Sequence, residues 1–201
     1  MKTGVVDYKA GNLRSIQNLL QFLNADFIIS DRADELFRCD KLIFPGVGEA
    51  AYAMGQLEKT GLGSMMKDFA KSGKQIFGIC LGCQIILDHS EEGDVDCLGL
   101  IPGTVKRFPS GGLKVPEIGW NSFDKVKEHY LLKGIPASPD VYFVHSFYPS
   151  VEAKYGIAQT EYMVPFYSII SRDNVAAAQF HPEKSGPVGI QIMRNFIECE
   201  A

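Results

Sequence analysis

A chain of 201 residues with 46% hydrophobic and 22% charged side chains has the length of one domain over residues 1–201 and should bury about 70% of its unfolded surface, which excludes disorder as its main state. Its formal charge of −4 offers no basic excess for a phosphate backbone, so no nucleic-acid partner is expected. Asp7 and Lys9 interrupt the opening apolar run, and the most apolar window, residues 76–87, contains Gln84 and is shorter than the ~20 residues of a membrane span, so a cytoplasmic location without membrane contact is expected.

Residues 3–6 read as a first strand, and Leu13, Ile16, Leu20 and Leu23 then repeat at spacings of three and four, one face of a helix. Strands are expected at 26–30 and 41–44, the latter ended by Pro45-Gly46-Val47-Gly48. Helices should follow at about 49–59 and 62–72. Residues 75–77 read as a short buried strand entering Gly78-Ile79-Cys80-Leu81-Gly82, with helical spacing continuing through Ile85, Ile86 and Leu87. Strands alternating with helices indicate an α/β fold with a mostly parallel central sheet flanked by helices.

From Leu98 the pattern changes to short strand-like runs between glycine and proline turns: 103–108, 141–147, 156–160, 166–171 and 175–180, with turns at Gly111-Gly112 and Asp173-Asn174. An antiparallel or mixed extension of the sheet is expected there. A final helix is expected at 188–197. No repeat, low-complexity tract or dividing linker appears.

The five cysteines, Cys39, Cys80, Cys83, Cys97 and Cys199, are odd in number and scattered, which argues for reduced thiols rather than a disulfide framework. Cys80 has glycine two residues before and two after, at a strand-to-helix junction. That is the pattern of a nucleophile elbow, where flanking side chains would crowd the turn. The following helix start would favour a thiolate, and the N–H of Leu81 would face a developing oxyanion. A buried structural cysteine is the competing reading.

Among His89, His129, His145 and His181, only His181 sits in a stiff local pattern with a carboxylate, His181-Pro182-Glu183. In extended backbone, residues two apart point the same way, which would set the imidazole beside the Glu183 carboxylate, and Pro182 biases His181 toward that conformation. A surface pair is the plain alternative. The glycines of Pro45-Gly46-Val47-Gly48 could turn a second N–H toward the site or away from it.

Gly78-Ile79-Cys80-Leu81-Gly82-Cys83-Gln84 together with His181-Pro182-Glu183 resembles the class I, triad-type glutamine amidotransferases. The remaining motifs, Pro45-Gly46-Val47-Gly48, Pro116-Glu117-Ile118-Gly119-Trp120-Asn121, Tyr142-Phe143-Val144-His145-Ser146-Phe147 and Lys184-Ser185, resemble the glutaminase subunits of imidazole glycerol phosphate synthases nearly end to end. The resemblance implies a flavodoxin-like fold and hydrolysis of L-glutamine through a Cys80 thioester. His181 would be the base and Glu183 its orienter, without cofactor or metal. It places Gly48, Leu81, Gln84, Glu92, Ser146 and Phe147 at the substrate. It places Asn12, Trp120, Asn121, Tyr142 and Lys184 at a (βα)8-barrel cyclase partner, in a heterodimer that makes imidazole glycerol phosphate and an aminoimidazole carboxamide ribonucleotide by-product in histidine biosynthesis. A paralogous glutaminase serving another synthase, or a non-catalytic regulatory subunit, are the alternatives.

Two positions depart from the family pattern: Cys83 replaces a more usual Met, and Glu117 replaces a more usual His or Gln. Cys83 creates a Cys-x-x-Cys pair, which opens a redox dithiol or, with His89, a zinc half-site as minor readings.

Overall fold

The computed structural model describes residues 1–9 and 13–199. In chain order the first half comprises β1 (Thr3–Val6), α1 (Leu13–Phe22), β2 (Phe27–Ser30), α2 (Ala33–Phe37), β3 (Lys41–Gly46), α3 (Ala50–Thr60), α4 (Leu62–Lys71), β4 (Gln75–Cys80) and α5 (Leu81–Ile85). The second half adds β5 (His89–Ser90), β6 (Val95–Asp96), β7 (Thr104–Arg107), β8 (Glu117–Ser122), β9 (Asp124–Lys125), β10 (Asp140–His145) and β11 (Phe147–Ser150). It closes with β12 (Gly156–Tyr162), β13 (Val164–Arg172), β14 (Val175–Ala178) and α6 (Gly186–Glu198).

The main sheet runs β2-β1-β3-β4-β14-β13-β12-β9. Its first five strands are parallel to one another and the last three join antiparallel, the architecture expected from the two halves of the sequence. Burial on both faces explains the near-continuous apolar composition of β4, QIFGIC, and β14, VAAA, in which every residue is buried. On one face Ile43, Phe77 and Ile79 pack with Ile16 and Leu20 of α1 and Ile192 and Phe196 of α6. On the other, Leu42, Phe44 and Ile76 pack with Leu36, Leu57, Phe69 and Ile86. Two small sheets, β10-β8 and β11-β7-β5-β6, stand beside the main one. Among the described residues no helix is long and apolar enough to cross a membrane.

Three expectations are corrected, and five elements occur that no periodicity marks. Pro45 does not end β3: the strand continues to Gly46, which pairs with Cys80 of β4. Pairing with β1 stops at Ile43, so the proline, which has no N–H, sits where β3 has one neighbour rather than two. The helix after Cys80 stops at Ile85, because the carbonyls of Ile85, Ile86 and Leu87 accept from the backbone of Leu98, Leu100 and Gly99 at 2.9, 2.8 and 2.7 Å. The single strand expected at 141–147 is two strands belonging to different sheets, with Ser146 at the switch. Finally, α2, β5, β6, β8 and β9 had no periodic signature; most are too short to display one.

Candidate active site

β4 hands over to α5 with no intervening residue, so the backbone turns at Cys80 itself, where φ is 54° and ψ −109°. This conformation is costly for a side-chain-bearing residue and persists only when its surroundings enforce it. The flanking glycines are part of that enforcement. A Cβ at Gly78 would lie 2.8 Å from the Gly82 carbonyl oxygen, and one at Gly82 would overlap the Phe44 carbonyl oxygen of β3. Tyr8 packs beneath the elbow, with its hydroxyl where a Gly46 Cβ would be. Burial, followed by the proximity of Cys80, raises the Tyr8 pKa. The Cys80 sulfur lies 3.8 Å from the Val144 carbonyl oxygen of β10.

β14 runs parallel beside β4, pairing Ala178 with Ile79, so the chain leaving β14 arrives next to the elbow. His181 is extended, at φ −97° and ψ 97°. Its N–H donates to the Tyr142 carbonyl at 2.9 Å. Ser185 completes the clamp, donating from Oγ to the His181 carbonyl at 2.7 Å and accepting the Tyr142 N–H at 2.9 Å. The imidazole Nδ1 is 2.8 Å from Glu183 Oε1, and neither side chain is more than 5% exposed.

The route to this contact differs from the expected one: residues 182–184 form a 3-10 turn, and that turn, not an extended strand, brings the carboxylate under the ring. Burial by itself would depress the His181 pKa. Hydrogen bonds to Cys80 and Glu183, with the attraction of their negative charges, overcome it and raise the value from 6.5 to about 10.

A cavity of about 320 Å³ opens at this junction and is lined by Cys80 and His181 together with Gly48, Leu81, Gln84, Glu92, Ser146, Phe147 and Lys184. It is at the small end of the range of about 300–1,000 Å³ for ligand sites. Gln84 donates from Nε2 to the Phe147 carbonyl at 2.9 Å and to Gln179 Oε1 at 3.0 Å, tying α5 to β11 and to the end of β14. Glu92 Oε2 accepts the Ala50 N–H at the start of α3 at 2.9 Å. Burial raises its pKa, the Ala50 bond works against that and Glu49 adds to it. Gly48, at φ 98°, has a backbone open to glycine and strained for other residues.

Val47, Pro116, Val144 and His145 also line the cavity. All four stand within the quoted motifs, but the first three are backbone and apolar contributors that carry no chemical signature of a substrate contact. His145 meets Glu117, with Nε2 2.9 Å from Oε2; the unusual acid at 117 was the sequence signal for this contact.

Cys83 is fully buried, and burial, followed by the nearby Cys80, pushes its thiol well above the ordinary range. His89 does not approach the Cys80–Cys83 pair as a zinc half-site would require. Its ring lies 3.2 Å from Asp94 and 3.1 Å from Asp96, and no group of three potential metal ligands occurs among the described residues.

Of the residues assigned to a partner surface, Trp120, Tyr142 and Lys184 come together. The Trp120 and Tyr142 rings meet edge to face at 5.9 Å, and Lys184 Nζ lies 5.9 Å from the Tyr142 ring centre. Trp120 is 58% exposed and Ile118 beside it 61%. Asn121 turns inward, donating to Glu117 Oε1 at 2.8 Å and the Glu161 carbonyl at 3.1 Å. Asn12 lies outside the described residues.

Residues 5–199 match the family model described as glutamine amidotransferase class-I. The chain is 44% identical over 200 residues to the imidazole glycerol phosphate synthase subunit HisH of Bacteroides thetaiotaomicron, covering 98% of this chain and all of that protein. It is 45% identical over 200 residues to the HisH of Methanosarcina mazei, covering 96% of each. A crystal structure described as a glutamine amidotransferase superposes with a TM-score of 0.77 at 20% identity, covering 98% of this chain and 97% of that one. A structure described as PurLQS from Thermotoga maritima superposes with a TM-score of 0.75 at 18% identity, covering 96% of each chain; both likenesses concern the fold. These matches over nearly the whole chain show that it belongs to the class-I glutamine amidotransferase family, in its branch of imidazole glycerol phosphate synthase HisH subunits.

Proposed function

We propose that the chain, one domain over residues 1–201, hydrolyses L-glutamine to glutamate and ammonia with Cys80, His181 and Glu183, and passes the ammonia to a cyclase. The observation that carries this reading is the junction of β4 and β14, where the strained Cys80 and the His181–Glu183 couple meet at one cavity.

The raised His181 pKa makes the ring a base strong enough to take the Cys80 proton and free the sulfur as the nucleophile. The sulfur attacks the side-chain carbonyl carbon of glutamine, forming the S–C bond and an oxyanion. The Leu81 N–H and a donor from the Gly48 segment stabilise that charge. As the C–N bond breaks, His181 delivers its proton to the leaving nitrogen and ammonia departs. Water then attacks the thioester, giving one proton to His181, and glutamate leaves as the S–C bond breaks and the imidazolium–thiolate pair is restored. Glu183 holds the ring and stabilises its charge throughout. Gln84, Glu92, Ser146 and Phe147 surround the substrate.

The exposed Ile118, Trp120 and Lys184 with the half-buried Tyr142, beside the cavity mouth, suit a partner surface. We assign it to a (βα)8-barrel cyclase in a cytoplasmic heterodimer that builds imidazole glycerol phosphate, where five free cysteines suit a reducing compartment. Mixing the purified chain with glutamine and its cyclase should release glutamate in step with the acceptor reaction, and Cys80→Ala should reduce release to background. Equal release by both proteins would refute the assignment.

A further inference from the structure

We propose that Glu117 and His145 form a buried positioning pair that holds the wall of the glutamine site opposite Cys80; the inference rests on the glutaminase reading above. The two residues face each other across the β8–β10 ladder, with side chains 4% and 2% exposed. Each polar atom of the pair is used. His145 Nε2 is 2.9 Å from Glu117 Oε2, Nδ1 is 2.7 Å from the Phe147 carbonyl oxygen, and Glu117 Oε1 accepts from Asn121 at 2.8 Å. The rings of Phe108, Phe143 and Phe166 surround the imidazole with centroids 5.2, 5.3 and 5.3 Å away.

The geometry dictates the protons. A backbone carbonyl only accepts, so His145 Nδ1 carries a proton toward Phe147. Two facing acceptors would repel, so a second proton lies between Nε2 and Oε2. That shared proton makes one hydrogen bond between imidazole and carboxyl in an apolar cage, whichever of the two atoms carries it.

The pair is placed where the chain most needs support. His145 ends β10, Phe147 begins β11, and Ser146 between them belongs to neither sheet. Three contacts with the reaction site leave from this bend. The Val144 carbonyl meets the Cys80 sulfur, the Phe147 carbonyl accepts from Gln84 as well as from His145, and Ser146 and Phe147 line the cavity. Fixing the ring thus fixes the backbone from 144 to 147. Hydrogen bonding rather than charge is what this role demands. A glutamine at 117 could keep it, its oxygen accepting from Asn121 and its amide donating to a neutral imidazole that still donates to Phe147.

The test reads glutamate release by the chain in complex with its cyclase. Glu117→Ala should raise KM for glutamine by about ten- to a hundredfold, with a smaller change in kcat, whereas Glu117→Gln should stay within about twofold of the unsubstituted chain. Nitrogen-15 spectra of the His145 ring should show a protonated Nδ1, held toward the Phe147 carbonyl, in both the unsubstituted chain and Glu117→Gln. An unchanged KM in Glu117→Ala, or an Nδ1 without a proton in the unsubstituted chain, would overturn the proposal. If Glu117→Ala does not fold, the spectra and the Glu117→Gln kinetics decide it. An unsubstituted chain that released no glutamate would count against the glutaminase reading, and the spectra would still judge the pair.

Discussion

Gly82→Ala should damage the active site by a purely steric route. The added Cβ would overlap the Phe44 carbonyl oxygen, lying 3.0 Å from its carbon and 3.4 Å from the ring Cδ1. The obstacle is the backbone of β3, held at this point by β4 through the pairing of Phe44 with Gly78, so no side-chain rotation relieves it. Non-bonded heavy atoms settle at about 3.5–4.0 Å, and the elbow and β3 must part by on the order of an ångström. Overpacking of this kind costs about 1–3 kcal/mol, or roughly 2–12 °C in melting temperature for a chain of this length. Since Gly46 pairs with Cys80, the displacement also moves the sulfur against His181, and a 1 Å misplacement costs about a hundredfold in rate. Calorimetry and glutamate release measured with the cyclase present would check both. Gly55→Ala serves as the comparison: nothing lies within 4 Å of its Cβ position in α3, and alanine there should stabilise by up to about 1 kcal/mol with activity retained. If Gly82→Ala melted and turned over like the unsubstituted chain, the steric account of the elbow would be wrong.

Three more outcomes are expected. His181 should remain doubly protonated through neutral pH and titrate near 10 in ring nitrogen spectra, and Glu183→Gln should lower that midpoint. Because its folded value exceeds the unfolded 6.5, the stability it contributes is complete below about pH 6.5 and declines toward pH 10, a trend thermal melts would reveal and whose absence would contradict the pairing. Lys41→Met should lower stability by about 1–3 kcal/mol while leaving glutamate release at low temperature unchanged. The fully buried amine caps the end of α6, donating to the carbonyls of Phe196 at 2.7 Å, Ile197 at 3.2 Å and Cys199, at the opposite end of β3 from Gly46. Finally, the isolated chain should hydrolyse glutamine about a hundredfold more slowly than the complex if partner binding completes the oxyanion site at Gly46-Val47-Gly48; equal rates would remove that role.

The helices at 13–22, 50–60, 62–71 and 186–198 were legible because amphipathic spacing is a local property, and β4 and β14 because burial on both faces demands continuous apolar runs. The break at Ser146 was not. Residues 141–147 are a run of β-branched and aromatic side chains such as one strand would carry, and only competition between two sheets for the two halves of the segment ends β10 at His145. Similar reasoning covers Pro45, whose effect on β3 depends on how far β1 extends beside it.

For the site, adjacency in sequence was enough to mark the glycines around Cys80 and the carboxylate two residues from His181, since both arrangements are enforced within a few bonds. Three things required the assembled fold. The approach of Cys80 to His181 depends on β14 choosing β4 as its parallel neighbour. The clamp of Ser185 on Tyr142 spans two elements, and the Glu117–His145 contact is set by the register of β8 against β10. Local sequence thus determined which residues could react and which turns they occupy. Tertiary pairing decided which of them meet, because a strand's partner and register minimise the energy of the whole sheet and are written in no single segment.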